Sequence, residues 1–451
     1  MIRGSSMISK LNKCRVTQLR LQSTKTTSSA TKYTTLSNGI TIASESNPQA
    51  KHSSIGLYIG GGSRTEHPYN NGISALTTDL LSNHSTQDGI LISSKNDKEF
   101  NGILAETTND NIKNAGKLLS SIVSNAEEII TKSDLSLYKK FLTQQVKYLE
   151  SNPKSKVLSH LEATAYQGYS LGLPTLGTPE SIENLQVEDS LRHLNNNLNN
   201  NNIVIAGSGN FSHEELVESI ESSNLKIKES IKPEIKPVSF LGSEVRMRDD
   251  TLPKAYFAIA VNGEGINSPN YYIAQVAAKI FGNYDSNSTI KHYTSPKLAS
   301  IVQEYDIVDS YEHFSKSFSD SGLWGYYCEI SNKFTIDDFA HFSLKQWNRL
   351  SISISEAEVV RAKNQLKTEI LTKLSTSNEI TNDIGSKILL NGYRNSIRES
   401  FEKIDSIKLN DVKEWGKSKV WDRDIVISAT GQIEDLFDYN RNRNEMAMMR
   451  W

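Results

Sequence analysis

Two periods of polarity alternate along this chain. Ile73, Leu76 and Leu80 stand at i, i+3 and i+7, the spacing of one apolar helix face, with Ala75, Thr78 and Asp79 on the opposite face. Positions 75 and 79 lie four apart and project together. Further helical stretches cover about 111–130 and about 133–150, the second stopped by Pro153. Ser355-x-x-Glu358 is a capping box, opening a helix with Val359, Ala362, Leu366, Ile370 and Leu374 on one face. Strand-length apolar runs occupy 54–59, 203–206 and 256–261. Asn38-Gly39 falls between two short strands, the preference of a type I′ hairpin turn. His213, Glu214 and Glu215 open a helix after Asn210, where acids near an N-terminus are favourable.

The same pattern then recurs. Residues 182–210 align without a gap on 404–432 at an offset of 222, placing Ile182 on Ile404, Leu185 on Ile407, Asp189 on Asp411 and Gly209 on Gly431. Residues 54–61 match 256–263 at an offset of 202, so the second half carries twenty additional residues between the two matches. Order and spacing recurring together predict a duplication. The expected fold class is α+β: two homologous halves, each a mixed β-sheet packed with α-helices. The expected division is 1–30, 31–230, a linker 231–248, 249–440 and a tail 441–451. Pro233 and Pro237 stiffen the linker, and the asparagine-rich stretch 195–202 reads as a tolerant loop.

A chain of 451 residues with 37% hydrophobic and 23% charged content is expected to fold as two or more soluble domains, with no run near the roughly 18 apolar residues of a membrane helix. A net charge of −2 leaves no nucleic-acid footprint. Cys14 and Cys328 alone exclude a disulfide framework and a cysteine zinc site. Residues 1–44 contain no Asp or Glu but carry Arg3, Lys10, Lys13, Arg15, Arg20, Lys25 and Lys32 among many Ser and Thr, the composition of a mitochondrial presequence. Cleavage is expected two or three residues after Arg20; loss of the first 22 residues removes five positive charges and leaves −7. At the other end, Met446, Met448, Met449 and Trp451 are apolar where a terminus is usually polar, which makes them interface candidates.

None of the nine histidines is four residues from another, and no Ser/His/Asp or Cys/His set stands out by spacing. The pairs Glu66-His67 and Glu312-His313 read as solvated surface. Gly60–Gly62 reads as a tight turn, because no phosphate-loop sequence follows it. After that turn the chain runs Gly72-Ile-Ser-Ala75-Leu-Thr-Thr78-Asp79. This context resembles the pitrilysin-like zinc metallopeptidases, the family of the mitochondrial processing peptidases, whose motif there is G-x-x-H-x-x-E-H. The two family histidines map to Ala75 and Asp79 and the catalytic glutamate to Thr78. The family's third ligand falls near 144–147, where the sequence is QQVK; Glu150 is out of register. Leu171-Gly172…Leu176-Gly177…Glu180-x-Ile182 and Asp320-Ser-Gly322-Leu-Trp324-Gly325 match further family segments. The single glycine in 282–288 disfavours the processing-peptidase α type.

Within the family the resemblance is to the fungal core subunits of ubiquinol–cytochrome c reductase, respiratory complex III, and it extends to the ending 438–451. It implies no catalytic residue, no bound metal and no cofactor. It implies a core 2 subunit and the cytochrome subunits as partners, no nucleic acid, and a peripheral place on the matrix side of the mitochondrial inner membrane. Two alternatives stand beside it: an active processing-peptidase β subunit, and a free matrix protein that binds presequences without cleaving them.

Overall fold

The computed structural model describes residues 31–83, 89–223, 225, 227, 235–289 and 296–447. The expected presequence therefore lies outside the described residues, as do Cys14, Met448, Met449 and Trp451. The first half opens with the hairpin β1 (Lys32–Thr35) and β2 (Thr41–Ser46), paired antiparallel. Its turn is not type I′. That type needs positive φ at both central residues, whereas Gly39 has φ +87° and Asn38 is not among the positive-φ residues. Gly39 N–H donates to Leu36 C=O at 2.9 Å, so a three-residue loop closes on a left-handed glycine. The Asn38 side chain is meanwhile engaged with Leu225 C=O (3.2 Å) and Ile40 N–H (3.3 Å).

There follow β3 (His52–Gly60), α1 (Ile73–Asn83), β4 (Ile90–Asn96), β5 (Phe100–Thr108), α2 (Ile112–Ser124), α3 (Ala126–Lys132), α4 (Leu135–Ser151), α5 (Pro153–Ala165), α6 (Pro179–Asn184), α7 (Val187–Asn197), β6 (Ile203–Gly209) and α8 (His213–Glu221). The single helix expected over 111–130 is two, because the chain leaves helical geometry at Asn125. Pro153 does more than stop α4: it is the first residue of α5, where a missing N–H costs nothing. The second half contains β7 (Ser243–Arg248), β8 (Ala255–Asn262), α9 (Tyr271–Phe281), β9 (Asn283–Asp285), α10 (Lys297–Tyr305), β10 (Ser310–Ser317), β11 (Gly322–Ile330), α11 (Ile336–Ile352), α12 (Glu356–Lys373), α13 (Ser377–Asn391), α14 (Ile397–Ser406), α15 (Leu409–Lys419), β12 (Ile425–Gly431) and α16 (Tyr439–Glu445). The second sheet begins at Ser243, inside the stretch expected to be linker. The capping box is present at α12: Glu358 N–H donates to Ser355 Oγ, and Ser355 N–H to the Glu358 carboxylate at 2.9 Å.

The two sheets run β1-β2-β6-β3-β5-β4 and β7-β12-β8-β11-β10-β9. Five strands correspond in order, β2-β6-β3-β5-β4 with β7-β12-β8-β11-β10, and both halves pair the first two of these parallel. The offset of 222 carries α7 onto α15, β5 onto β11 and β6 onto β12. The twenty additional residues are the segment with β9 and α10, which covers the sheet edge that β4 leaves uncovered in the first half.

Each sheet is covered on one face by helices of the other half. Val157, Leu161 and Ala165 of α5 pack with Tyr256, Ala258, Ala260 and Val426 of the second sheet. Ile384, Ile388 and Leu389 of α13 pack with Ala43, Tyr58, Val204 and Ala206 of the first. This explains why β6 and β12 are buried at every position: both faces meet a helix. Gly385 lets α13 lie against Tyr58, since a Cβ there would come within 2.2 Å of the ring.

Charge is buried at the same junction. Arg64 Nη1 donates to Glu99 (2.5 Å) and Ser319 Oγ (3.0 Å), and Nη2 to Asp320 (2.8 Å) and Lys236 C=O (3.1 Å). Glu162 of α5 pairs with Lys98 at 2.8 Å and Lys316 at 2.5 Å. Burial pushes the Glu162 carboxyl up, but the two ammonium groups outweigh it and hold its pKa down at about 2. A depressed carboxyl contributes stability that is complete above the ordinary value of 4.5 and is lost as pH falls toward 2. Acid titration of the melting temperature is therefore expected to drop between pH 4.5 and 2, and Glu162→Gln to flatten that segment; a variant slope equal to the parent's removes Glu162 as the cause.

Candidate functional site

The site resembling a metal motif is assembled from the glycine turn upward. Gly62, at φ +54°, passes so close to the turn between β4 and β5 that a Cβ would meet Asp97 C=O at 2.3 Å. The chain then turns through Pro68–Asn70 and enters α1. Glu66 caps that helix: its carboxylate accepts Gly72 N–H (2.8 Å), Ser74 N–H (2.8 Å) and Asn71 Nδ2 (2.7 Å). The expectation of a solvated Glu66-His67 pair holds only for His67; Glu66 is buried, and burial raises its carboxyl pKa. No periodicity announces this role, because the cap lies six residues before the glycine it binds.

Helix α1 has no solvent face; every residue from Ile73 to Ser82 is buried. Ala75 sits in an apolar cluster with Leu76, Leu80, Ile182 and Leu185, to which α4 contributes Leu142 and Val146. The stretch 144–147 thus presents Val146 to the interior, while Glu150 is exposed. Thr78 Oγ1 donates back to Ser74 C=O at 2.8 Å. Asp79 accepts from Ser94 Oγ at 2.7 Å and from the Asn96 side chain; burial lifts its pKa, and those two bonds oppose the lift. The helix therefore uses Asp79 to hold strand β4.

These residues do not fit Zn²⁺, which takes three or four N, S or O ligands at 2.0–2.3 Å. One position is a methyl group, one a hydroxyl already bonded to backbone, and one a carboxylate bound to two side chains. The facing helix supplies leucine and valine. Among the described residues, no group of three His, Cys, Asp or Glu is placed to hold a metal ion.

Three further expectations are corrected. His313 is not surface: it lies in an aromatic core, its Nε2 accepting from Trp347 Nε1 at 2.9 Å, and burial lowers its pKa to about 3. Glu312 of that pair is exposed. The asparagine-rich stretch is not a tolerant loop, since Asn197, Asn199, Asn200 and Asn202 are buried and Asn202 Nδ2 donates to Gly60 C=O at 2.7 Å. Amides serve here because the glycine turn leaves backbone carbonyls to satisfy. Met446, expected at an interface, is fully buried in the core of the second half, and its C=O accepts Asp422 N–H at 3.2 Å. The cause is α16, which lies along α11 and turns the chain inward after Glu445.

Known proteins match this architecture. The family description Insulinase (Peptidase family M16) covers residues 41–179, and Peptidase M16 inactive domain covers 184–366. A Candida albicans protein described as a cytochrome b-c1 complex reductase subunit, mitochondrial, is 66% identical over 451 residues, all of both chains. The chain belongs to the M16 peptidase family. Among other M16 relatives, cytochrome b-c1 complex subunit 1 of Saccharomyces cerevisiae is 43% identical over 93% of this chain and 94% of that one. A probable mitochondrial-processing peptidase subunit beta of Schizosaccharomyces pombe is 35% identical over 93% and 95%. Among solved structures, a chain of Complex III2 from Candida albicans with Inz-5 bound superposes with a TM-score of 0.91 at 67% identity, covering 92% of this chain and all of that one.

Proposed function

We propose that this chain is a non-catalytic core subunit of mitochondrial complex III, on the matrix side of the inner membrane, supporting assembly of the complex that passes electrons from ubiquinol to cytochrome c. The observation that carries the reading is end-to-end similarity to a cytochrome b-c1 complex subunit, together with an α1 whose motif positions hold a methyl, a bonded hydroxyl and a bonded carboxylate. The M16 frame then serves as a rigid body: reciprocal packing of α5 and α13 presents a fixed surface to neighbouring subunits. No helix among the described residues is long and apolar enough to cross a membrane. Its partners are a core 2 subunit and the cytochrome subunits. Residues 1–30 act as the presequence, and Met448, Met449 and Trp451 are interface residues.

The test is made in mitochondria. Affinity purification of the tagged chain is expected to bring down the complex at full size on native gels, with no stoichiometric zinc by mass spectrometry and no presequence cleavage. Deleting 448–451 is expected to lower complex abundance while leaving the melting temperature of the isolated subunit unchanged. Chelator-sensitive cleavage that persists through further purification would establish the processing-peptidase β reading instead. A chain that migrates alone would establish a free matrix protein.

A further inference from the structure

Helix α4 carries two apolar stripes, back to back. Leu142 and Val146 are buried in the cluster around α1. Leu137, Phe141 and Tyr148, at i, i+4 and i+11, are 47%, 53% and 73% exposed. At about 100° per residue these three span only about 40° of arc, and Leu142 and Val146 lie about 120–160° from its centre. The outer stripe belongs to no core cluster. An exposed apolar strip of this kind is a contact surface.

Its flanks are cationic. The stretch 132–156 holds six lysines against Asp134 and Glu150, in a chain whose net charge is −2. Three of the six are engaged: Lys132 with Glu128, Lys139 with Glu183 C=O, and Lys154 with Glu312. Lys140 and Lys147 border the stripe, are exposed, and form no ion pair among the described residues. Asp134 is occupied as the helix cap, accepting Ser136 N–H at 3.0 Å and Leu137 N–H at 3.4 Å. Glu150 stands about 160° round the helix from Tyr148. The outward sector of α4 is therefore apolar and positive. A protein partner would need a groove shaped to this one helix and lined with both apolar and acidic groups. An anionic lipid surface supplies apolar depth and negative charge with no shape to match.

We propose that α4 lies on an anionic lipid surface. Leu137, Phe141 and Tyr148 enter the boundary between headgroups and acyl chains, and Lys140 and Lys147 meet lipid phosphates. The proposal goes beyond the complex III reading, which requires no lipid contact from this chain.

The experiment is flotation of the purified full chain with vesicles of phosphatidylcholine, alone or with about one-third phosphatidylglycerol. The mixed vesicles are expected to take up the chain and the neutral ones not. Lys140→Gln with Lys147→Gln is expected to lower the partition roughly 25-fold, about fivefold for each lysine near a charged surface. Phe141→Ser with Tyr148→Ser is expected to lower it at least about tenfold. These side chains lie outside the core clusters, so the melting temperatures stay at the parent's. Lys113→Gln with Lys117→Gln, the same charge change on exposed residues of α2, is expected to float like the parent. Equal uptake by neutral and mixed vesicles, or parental uptake of either α4 variant, overturns the proposal. An equal loss in the α2 variant also overturns it, by making the contact one of net charge alone. No uptake by any vesicle overturns it in favour of a protein partner for the stripe. Association with complex III is read separately on native gels and stands or falls without it.

Discussion

Arg64→Ala is expected to destabilise the chain by about 3–5 kcal/mol, the cost of removing one member of a buried ion pair. Its side chain is 1% exposed and its partner Glu99 3% exposed, so the carboxylate left behind has no access to water. Ser319 would still donate to Glu99 through N–H (2.9 Å) and Oγ (2.6 Å), which satisfies its lone pairs but not its charge. The guanidinium also joins the first half to Asp320 and to the Lys236 backbone, so the loss falls on the junction between halves. Denaturant unfolding of the parent and variant measures the effect. Lys113→Ala, which removes an exposed pair with Glu218, serves as control and is expected to cost less than about 1 kcal/mol. A loss below about 1 kcal/mol for Arg64→Ala would show that the buried network does not hold the halves together.

Writing the peptidase motif back into α1, as Ala75→His with Thr78→Glu and Asp79→His, is expected to produce neither zinc binding nor cleavage, and a less stable protein. Ala75 is fully buried among Leu76, Leu80, Leu142 and Val146, so an imidazole there overpacks the cluster at a cost of about 1–3 kcal/mol. Removing Asp79 frees Ser94 and Asn96 from the bonds that hold β4, at about 1 kcal/mol for each. The third ligand is still missing, because α4 turns Leu142 and Val146 inward. Metal content by mass spectrometry, a fluorogenic presequence peptide and thermal melting read the three outcomes. One zinc per chain with recovered cleavage would mean that α4 can supply a ligand and that the site is dormant rather than rebuilt.

How much of this was legible beforehand differs from element to element. The helix at 73–83 and the capping box at Ser355 were readable because their signals are local: apolar spacing in one, a reciprocal pair of hydrogen bonds in the other. The duplication was readable because both copies keep the same spacing from α6 and α14 onward. His313 was misread as surface because its burial depends on a partner far along the chain, Trp347, 34 residues beyond it. Glu66 was misread although its partners Asn71, Gly72 and Ser74 are near, because a cap set six residues ahead of the glycine it binds leaves no periodic signal. Met446 was misread for a similar reason, since an apolar residue near a terminus looks the same whether it meets another subunit or its own core.

The sequence by itself determined the M16 resemblance, the two-half α+β plan and the absence of histidine and glutamate at the motif positions of α1. These are statements about residue identity and short-range periodicity, which need no partner to be read. Only the tertiary structure decided that α5 and α13 exchange sheets, that Arg64 and Glu162 carry buried charge across the junction, and that Asp79 became a tie to β4. Those depend on which surfaces meet. A strand buried on both faces accepts any helix with a matching apolar stripe, and the choice between its own half's helix and the other's is made by the packing of the whole chain.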